Sequence, residues 1–591
     1  MKQQPDNISD IEKSITRYNN LITFLTILAT SAAILTAVLT IQEGLLLFVL
    51  GFIPVIILIV VIQIISTKRK KLKYLLQIRK DWGSTQAAKE QDFKTIRPLF
   101  DYSFESNKSR DYIDEQTWKD LNMDQLYAKI DRNYTDPGEA VLYRMLREPL
   151  FNKEQLAERG RIISFLQNNQ DTREKIQYAL IRLGHQFIHN NLFTLLWRDN
   201  YPKTEMKLFL NLMALAALVS IIIPFVFWSA LLIPVPIAMY IINLVIHYHI
   251  KQRTDIETVS FPYLIRCIKT AGELSAVKDG EIKPFTKRLA ELVKASSGII
   301  KSTRFLFPTN VNFTDTGIIF EYLSIFFLLE VRAFYDISDE LKKHILELRE
   351  LYLTLGEIDA LQSVASYRES LAEYSVPVFG DGNYLEVKDA KQPLLENPVP
   401  VSIAIHKNII LITGSNMGGK STFLRTIGNN VLLAQTIATT TTSYYHGSFF
   451  RVVTSISRTD DLAAGKSYYY VEAERILKAI QSFNPGVPTL CIIDELLSGT
   501  NSVERLQASE AIIQYLTMQN TLAIIATHDL ELAERLNGQC DFYHFTGNVD
   551  KNGLKFDYLL KPGIATTRNA IALLKYLGYP KEITEKAQQE G

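Results

Sequence analysis

The chain has 591 residues, 47% of them hydrophobic, and 64 Lys and Arg stand against 63 Asp and Glu for a formal net charge of +1. That length calls for several domains, and the charge balance excludes a protein that holds nucleic acid by overall positive charge alone. Its three cysteines, Cys267, Cys491 and Cys540, lie far apart without CxxC spacing, which argues against a disulfide framework or a cysteine zinc site and fits a reducing compartment.

Residues 1–20 are polar and carry Lys2, Lys13 and Arg17. Residues 21–41 and 45–65 are then almost wholly apolar, parted only by Gln42-Glu43-Gly44 and followed by Lys68-Arg69-Lys70-Lys71. Each run suffices to cross a hydrocarbon core of roughly 30 Å at about 1.5 Å per residue. Basic residues on both open ends, and none in the turn, predict a transmembrane hairpin over 21–66 with both ends cytoplasmic. A second hairpin is predicted within 207–248, from the apolar runs 208–227 and 229–246, with Lys203 and Lys207 before it and Lys251 and Arg253 after it. Together these predict an integral membrane protein with four spans and a cytoplasmic C-terminal domain.

Segments 67–206 and 249–376 read as helical. Asp136-Pro137-Gly138 marks a break, after which 140–148 resumes as an amphipathic helix that stops before Pro149. Residues 318–329 read as a short core helix. Residues 338–374 carry apolar and charged side chains at three- and four-residue spacing, the pattern of a long amphipathic helix that serves as a lever, a coiled-coil arm or a helix packed on its own domain. Turn residues from Gly380 onward mark a boundary near Val376, and 377–591 reads as an α/β domain.

In that domain the apolar run 409–412 reads as a buried strand. It is followed at once by Gly414-x-x-x-x-Gly419-Lys420-Ser421 and then by a helical pattern. A strand, a glycine-rich loop and a helix in this order form a phosphate cradle, with backbone N–H groups and the helix N-terminus facing the anion. Lys420 is placed to reach the β- and γ-phosphates of ATP, and the Ser421 hydroxyl to ligate Mg²⁺. A second apolar run, 490–493, ends in Asp494 and Glu495. Asp494 is the expected Mg²⁺ partner and Glu495 the expected general base for the attacking water. A third, 523–526, ends in Thr527-His528, and His528 is a candidate for contact with the γ-phosphate.

These residues resemble the DNA mismatch-repair MutS family. The resemblance rests on TGSNMGGKST (413–422), DDLAAGKSYYYVEAERI (460–476), DELLSGTNS (494–502), ATHDLEL (526–532) and KPGIATTRNAIALLKYLGYPKEI (561–583), with a weaker likeness at 130–150. It implies an ABC-type P-loop ATPase, preceded by a helical core and acting as a homodimer whose nucleotide sites are shared between subunits. Ser467 matches the serine that reaches the partner's γ-phosphate. Asn416 and Met417 match residues lining the nucleotide, within a cradle that also comprises Gly414, Ser415, Gly418, Gly419 and Thr422. Glu472 matches an acidic position of the same loop as Ser467, and the C-terminal segment matches a dimerisation element. Ser415 stands where the family usually has proline, and Lys466 where it usually has arginine. No Phe-x-Glu wedge precedes the core, so the likeness does not extend to the mismatch-reading domain, and no nuclease-like C-terminal extension is expected.

The resemblance makes DNA a candidate partner of a membrane-anchored, ATP-driven clamp. The alternative is a membrane scaffold or transporter-like ATPase that does not act on DNA. The apolar runs carry almost no charge, unlike a transport path, and no LSGGQ signature occurs.

Overall fold

The computed structural model describes residues 7–43, 45–84, 91–107, 111–186, 192–197, 206–227, 230–232, 234–303, 322–405, 408–414, 418–456, 468–483, 486–550, 553–565, 574, 578–580 and 582–584. Among the described residues helices make up the fold as far as Ser370, and strands enter from Val378.

The helical part is built around Ile345–Ser370. Tyr352, Leu355, Ile358, Leu361, Val364 and Tyr367 are all buried on it. Helices Asp136–Arg147, Lys153–Asn168 and Lys283–Ala295 pack about it, and a helix covered on several sides needs no polar face. The segment 338–374 is therefore a packed core element, not a free lever. Its residues 338–370 belong to two helices, Leu329–Lys343 and Ile345–Ser370, parted at His344, and 371–374 follow outside any helix. Residues 318–321 lie outside the described residues; 322–326 are helical, but Tyr322 and Leu323 are exposed, which does not match the expected core helix.

Asp136-Pro137-Gly138 is not a break but the first turn of Asp136–Arg147. The Thr135 hydroxyl caps it, accepting from the Gly138 N–H at 3.1 Å, and Pro137 suits a first turn whose N–H groups have no helical partner. Gly138 is required there, since a Cβ would stand 2.3 Å from a carboxylate oxygen of Asp359. The buried Asp359 carboxylate accepts from the Thr135 hydroxyl at 2.6 Å, the Tyr134 N–H at 3.1 Å and the Gln362 amide at 2.9 Å. Burial pushes its pKa up to about 6 despite those donors.

Ile8–Glu43 and Leu45–Asp81 pack against each other. Among the described residues two stretches are long and apolar enough to cross a membrane, Ile8–Thr36 and Met206–Pro224. The four spans expected from sequence are not supported. In the second pair, the helix begins only at Pro234, and its apolar part, Pro234–Ile250, is too short. In the first pair, the second arm has described side chains only from Ile53 onward.

The C-terminal part contains a four-stranded sheet of β1 (Val378–Phe379), β2 (Leu385–Ala390), β3 (Val401–Ile405) and β5 (Tyr444–Gly447), in the order β1-β5-β2-β3. The six-stranded sheet is formed by β4 (Ile409–Gly414), β6 (Arg451–Ser455), β7 (Thr489–Asp494), β8 (Thr521–Ala526), β9 (Asp541–Phe545) and β12 (Lys561–Pro562), with β10 (Gly547–Asp550) and β11 (Gly553–Phe556) as a separate hairpin. Its order is β12-β9-β4-β8-β7-β6, parallel throughout except for β12. β4, β7 and β8 are adjacent and almost wholly buried, as the continuous apolar runs require of central parallel strands. One hydrophobic core runs without interruption from Leu99 and Trp118 of the helical part to Ile410 and Phe423 of the sheet domain.

Candidate nucleotide site

β4 ends at Gly414, whose φ of 125° lies in the region that favours glycine, and a Cβ there would stand 2.4 Å from the Phe545 carbonyl oxygen. Gly419, at φ 102°, precedes the helix Lys420–Ile437. Lys420 is 1% exposed and donates from Nζ to the Gly414 carbonyl at 2.6 Å, which holds the ammonium inside the turn. The Ser421 hydroxyl donates to the Asp494 carboxylate, joining the helix start to the end of β7. Gly418 is buried beside Gly419, and the Thr422 carbonyl accepts from the Thr426 hydroxyl at 2.7 Å. Ser415, Asn416 and Met417 lie outside the described residues.

Glu495 follows Asp494 at φ 68°, an unusual backbone for a residue with a side chain. Its N–H donates to the Ala526 carbonyl at 2.9 Å, so the β7–β8 ladder continues through the turn. One carboxylate oxygen of Glu495 lies 2.9 Å from Nδ1 of His528, with the Glu495 side chain 5% exposed and that of His528 50% exposed. Lys420, Ser421, Asp494, Glu495 and His528 thus gather at the C-terminal ends of three neighbouring strands, where open α/β sheets bind ligands.

Ser467 lies outside the described residues, and the helix Tyr468–Gln481 begins directly after it. Glu472 on that helix is buried, and its carboxylate accepts from the Ser498 N–H at 3.0 Å. Gly499 lies so near Tyr469 that a Cβ would meet its side chain at 2.9 Å. The segment that carries Ser467 therefore leads into a helix docked on the loop after Glu495.

Motif reading did not find the residues that tie this site to the helical part. The Arg425 guanidinium donates to the Asp120 carbonyl at 2.8 Å. The buried Asp120 carboxylate accepts from the Thr454 hydroxyl at 2.8 Å and the Ile456 N–H at 3.0 Å, at the end of β6. At the far end of the Lys420–Ile437 helix, the buried Arg368 guanidinium donates to the Ala438 carbonyl at 2.9 Å and to the Thr439 hydroxyl at 2.8 Å. Burial lowers its pKa to about 10, and a cation at a helix C-terminus also complements the helix dipole. No local pattern announces these partners, because Asp120 and Arg425 are 305 residues apart and Arg368 and Ala438 are 70 apart.

The residues present suit Mg²⁺ and a nucleoside triphosphate. Ser421 and Asp494 bring two hard oxygen donors together beside the lysine and the helix start, as Mg²⁺ on phosphate requires. Residues 410–591 match the family model described as MutS domain V, a span that holds every nucleotide-site residue expected from the sequence. The chain is thus similar to MutS proteins over its C-terminal part. It is 29% identical over 263 residues to the DNA mismatch repair protein MutS of Thermus aquaticus, covering 44% of this chain and 32% of that protein. Over the same length it is 28% identical to the DNA mismatch repair protein MutS of Thermus thermophilus, with the same shares covered. The chain thus spans about a third of the length of these MutS relatives. Most of the segment matched to the MutS dimerisation element lies outside the described residues.

Proposed function

We propose that this MutS-like chain hydrolyses ATP to ADP and phosphate. The observation that carries the reading is the convergence of Lys420, Ser421, Asp494, Glu495 and His528 at adjoining strand ends. Ser421 and Asp494 would hold Mg²⁺, which supplies charge neutralisation on the phosphates. Lys420 binds the β- and γ-phosphates from inside the loop. Glu495 accepts the proton of the attacking water as the bond to the γ-phosphorus forms and the β–γ bridging bond breaks. An ionised Glu495 accepts from Nδ1–H of His528, which fixes the ring and leaves Nε2 for the γ-phosphate side. Ser467 completes the site of the partner subunit in a homodimer.

The same reading couples the cycle to DNA, as the names of the MutS relatives suggest. It also places the chain at a membrane, with its nucleotide domain in the cytoplasm, because Ile8–Thr36 and Met206–Pro224 are long, apolar and mostly exposed. The test is ATP hydrolysis by the purified full chain with and without duplex, mismatched and branched DNA at two salt concentrations. Stimulation that fades with salt supports DNA coupling. Turnover indifferent to every DNA favours the scaffold alternative, and absence of Mg²⁺-dependent turnover overturns the ATPase reading.

A further inference from the structure

The first helical pair changes surface chemistry at one level. On Ile8–Glu43 the exposed residues pass from Lys13 and Arg17 to Leu21, Phe24 and Ile27. On Leu45–Asp81, which runs the other way, they pass from Ile57, Val60 and Ile64 to Lys68, Lys70, Lys71 and Lys73. Two contacts fix the register: Arg69 donates to the Asn19 side chain at 3.1 Å, and Lys80 meets Glu12 at 2.6 Å. Arg17 is thereby level, within a turn, with Lys71 and Lys73, and Phe24 with Ile64. The apolar-to-basic boundary therefore coincides on both helices.

Lys13 stands 3.9 Å from the Asp10 carboxylate, but Lys68, Lys70, Lys71 and Lys73 on the second helix have no such neighbour among the described residues. The Lys70 and Lys71 ammonium groups lie 5.7 Å from the ring centres of Tyr74 and Tyr178. Past the basic residues the helix runs unbroken into the protein. Arg79 binds Glu174 through two bonds at 2.8 and 3.0 Å, and the Gly83 N–H donates to Ser366 at 3.2 Å, two residues before Arg368.

We propose that Arg17, Lys68, Lys70, Lys71 and Lys73 form a collar that binds the headgroups of anionic phospholipids, with the apolar part of the pair in the acyl region. This rests on the membrane reading above and names the lipid class that it selects. Exposed apolar residues directly beside uncompensated cations match the two layers of an anionic leaflet, whereas a nucleic acid would leave the apolar layer bare.

The test uses the full chain reconstituted in phosphatidylcholine vesicles with about 30 mol% phosphatidylglycerol as the anionic lipid. Lipid retained by the protein after detergent extraction is measured by mass spectrometry for wild type and for a K68Q/K70Q/K71Q/K73Q variant. The wild type is expected to enrich phosphatidylglycerol about threefold or more over the bulk, falling toward bulk at high salt and in the variant. An unchanged ATP-hydrolysis rate in detergent shows that the variant is folded. Equal retention by both proteins, or displacement of phosphatidylglycerol by duplex DNA, overturns the collar while leaving the membrane reading in place. Release of the wild type from vesicles by alkaline carbonate overturns the membrane reading itself.

Discussion

Glu495 and His528 stand 2.9 Å apart, the carboxylate buried and the imidazole half exposed. The acid is fixed from behind by β8, through its own N–H to Ala526, and from the side by the ring. Glu495→Gln keeps the shape and removes the base, so ATP turnover is expected to fall about 10²-fold or more while nucleotide binding persists. His528→Ala is expected to lower turnover less. Single-turnover hydrolysis with a separate nucleotide-binding titration checks both, and a Glu495→Gln enzyme at the parental rate would remove Glu495 from the chemistry.

Ser421 and Asp494 share a hydrogen bond where a metal would sit. Ser421→Ala is expected to raise the Mg²⁺ concentration needed for half-maximal hydrolysis about tenfold, with a smaller change in metal-free nucleotide affinity. A Mg²⁺ titration of the rate decides the matter, since an unaltered midpoint would place the metal elsewhere.

Asp120 joins the helical part to β6 and to Arg425. Asp120→Ala leaves the Ile456 N–H and the Thr454 hydroxyl without that acceptor, and a loss of about 2–3 kcal/mol in stability is expected. Thermal unfolding in detergent measures it. Asp120→Asn, which retains an acceptor, is expected to lose less.

Asp359 has a pKa raised to about 6 by burial, so the folded protein holds this proton more tightly than the unfolded chain does. Its ionisation weakens the fold as pH rises from about 4 to 6, and the contribution recovered at low pH is about 2–3 kcal/mol. Relative to Asp359→Asn, the wild type is therefore expected to gain stability as pH falls through this window. Unfolding of both proteins across that range reads the difference, and parallel curves would contradict it.

The gathering of Lys420, Ser421, Asp494, Glu495 and His528 was legible in the sequence because each motif is local: an apolar run sets a buried strand, and the residues directly after it stand at the strand's C-terminal end. Gly414 and Lys420, or Asp494 and Glu495, need only a few neighbours to declare themselves. The core position of Ile345–Ser370 was less legible, since its charged residues, Arg368 among them, are satisfied by distant partners and look like a solvated face in isolation. Asp136-Pro137-Gly138 misled for a similar reason: the turn signal is real, but Thr135 and Asp359 convert it into a helix start. The span count failed where apolar length alone did not reveal how late the Pro234 helix begins.

Thr117 and Asp120 cover the outer strand β6 by accepting from the N–H of its Thr454 and of Ile456 directly after it, at 3.3 and 3.0 Å. The sheet-bearing C-terminal part of the chain is consequently not a portable unit. Cut free of the helices, it would present an open strand edge of the kind that recruits other sheets and aggregates, so its solubility is a property lent by residues more than three hundred positions upstream.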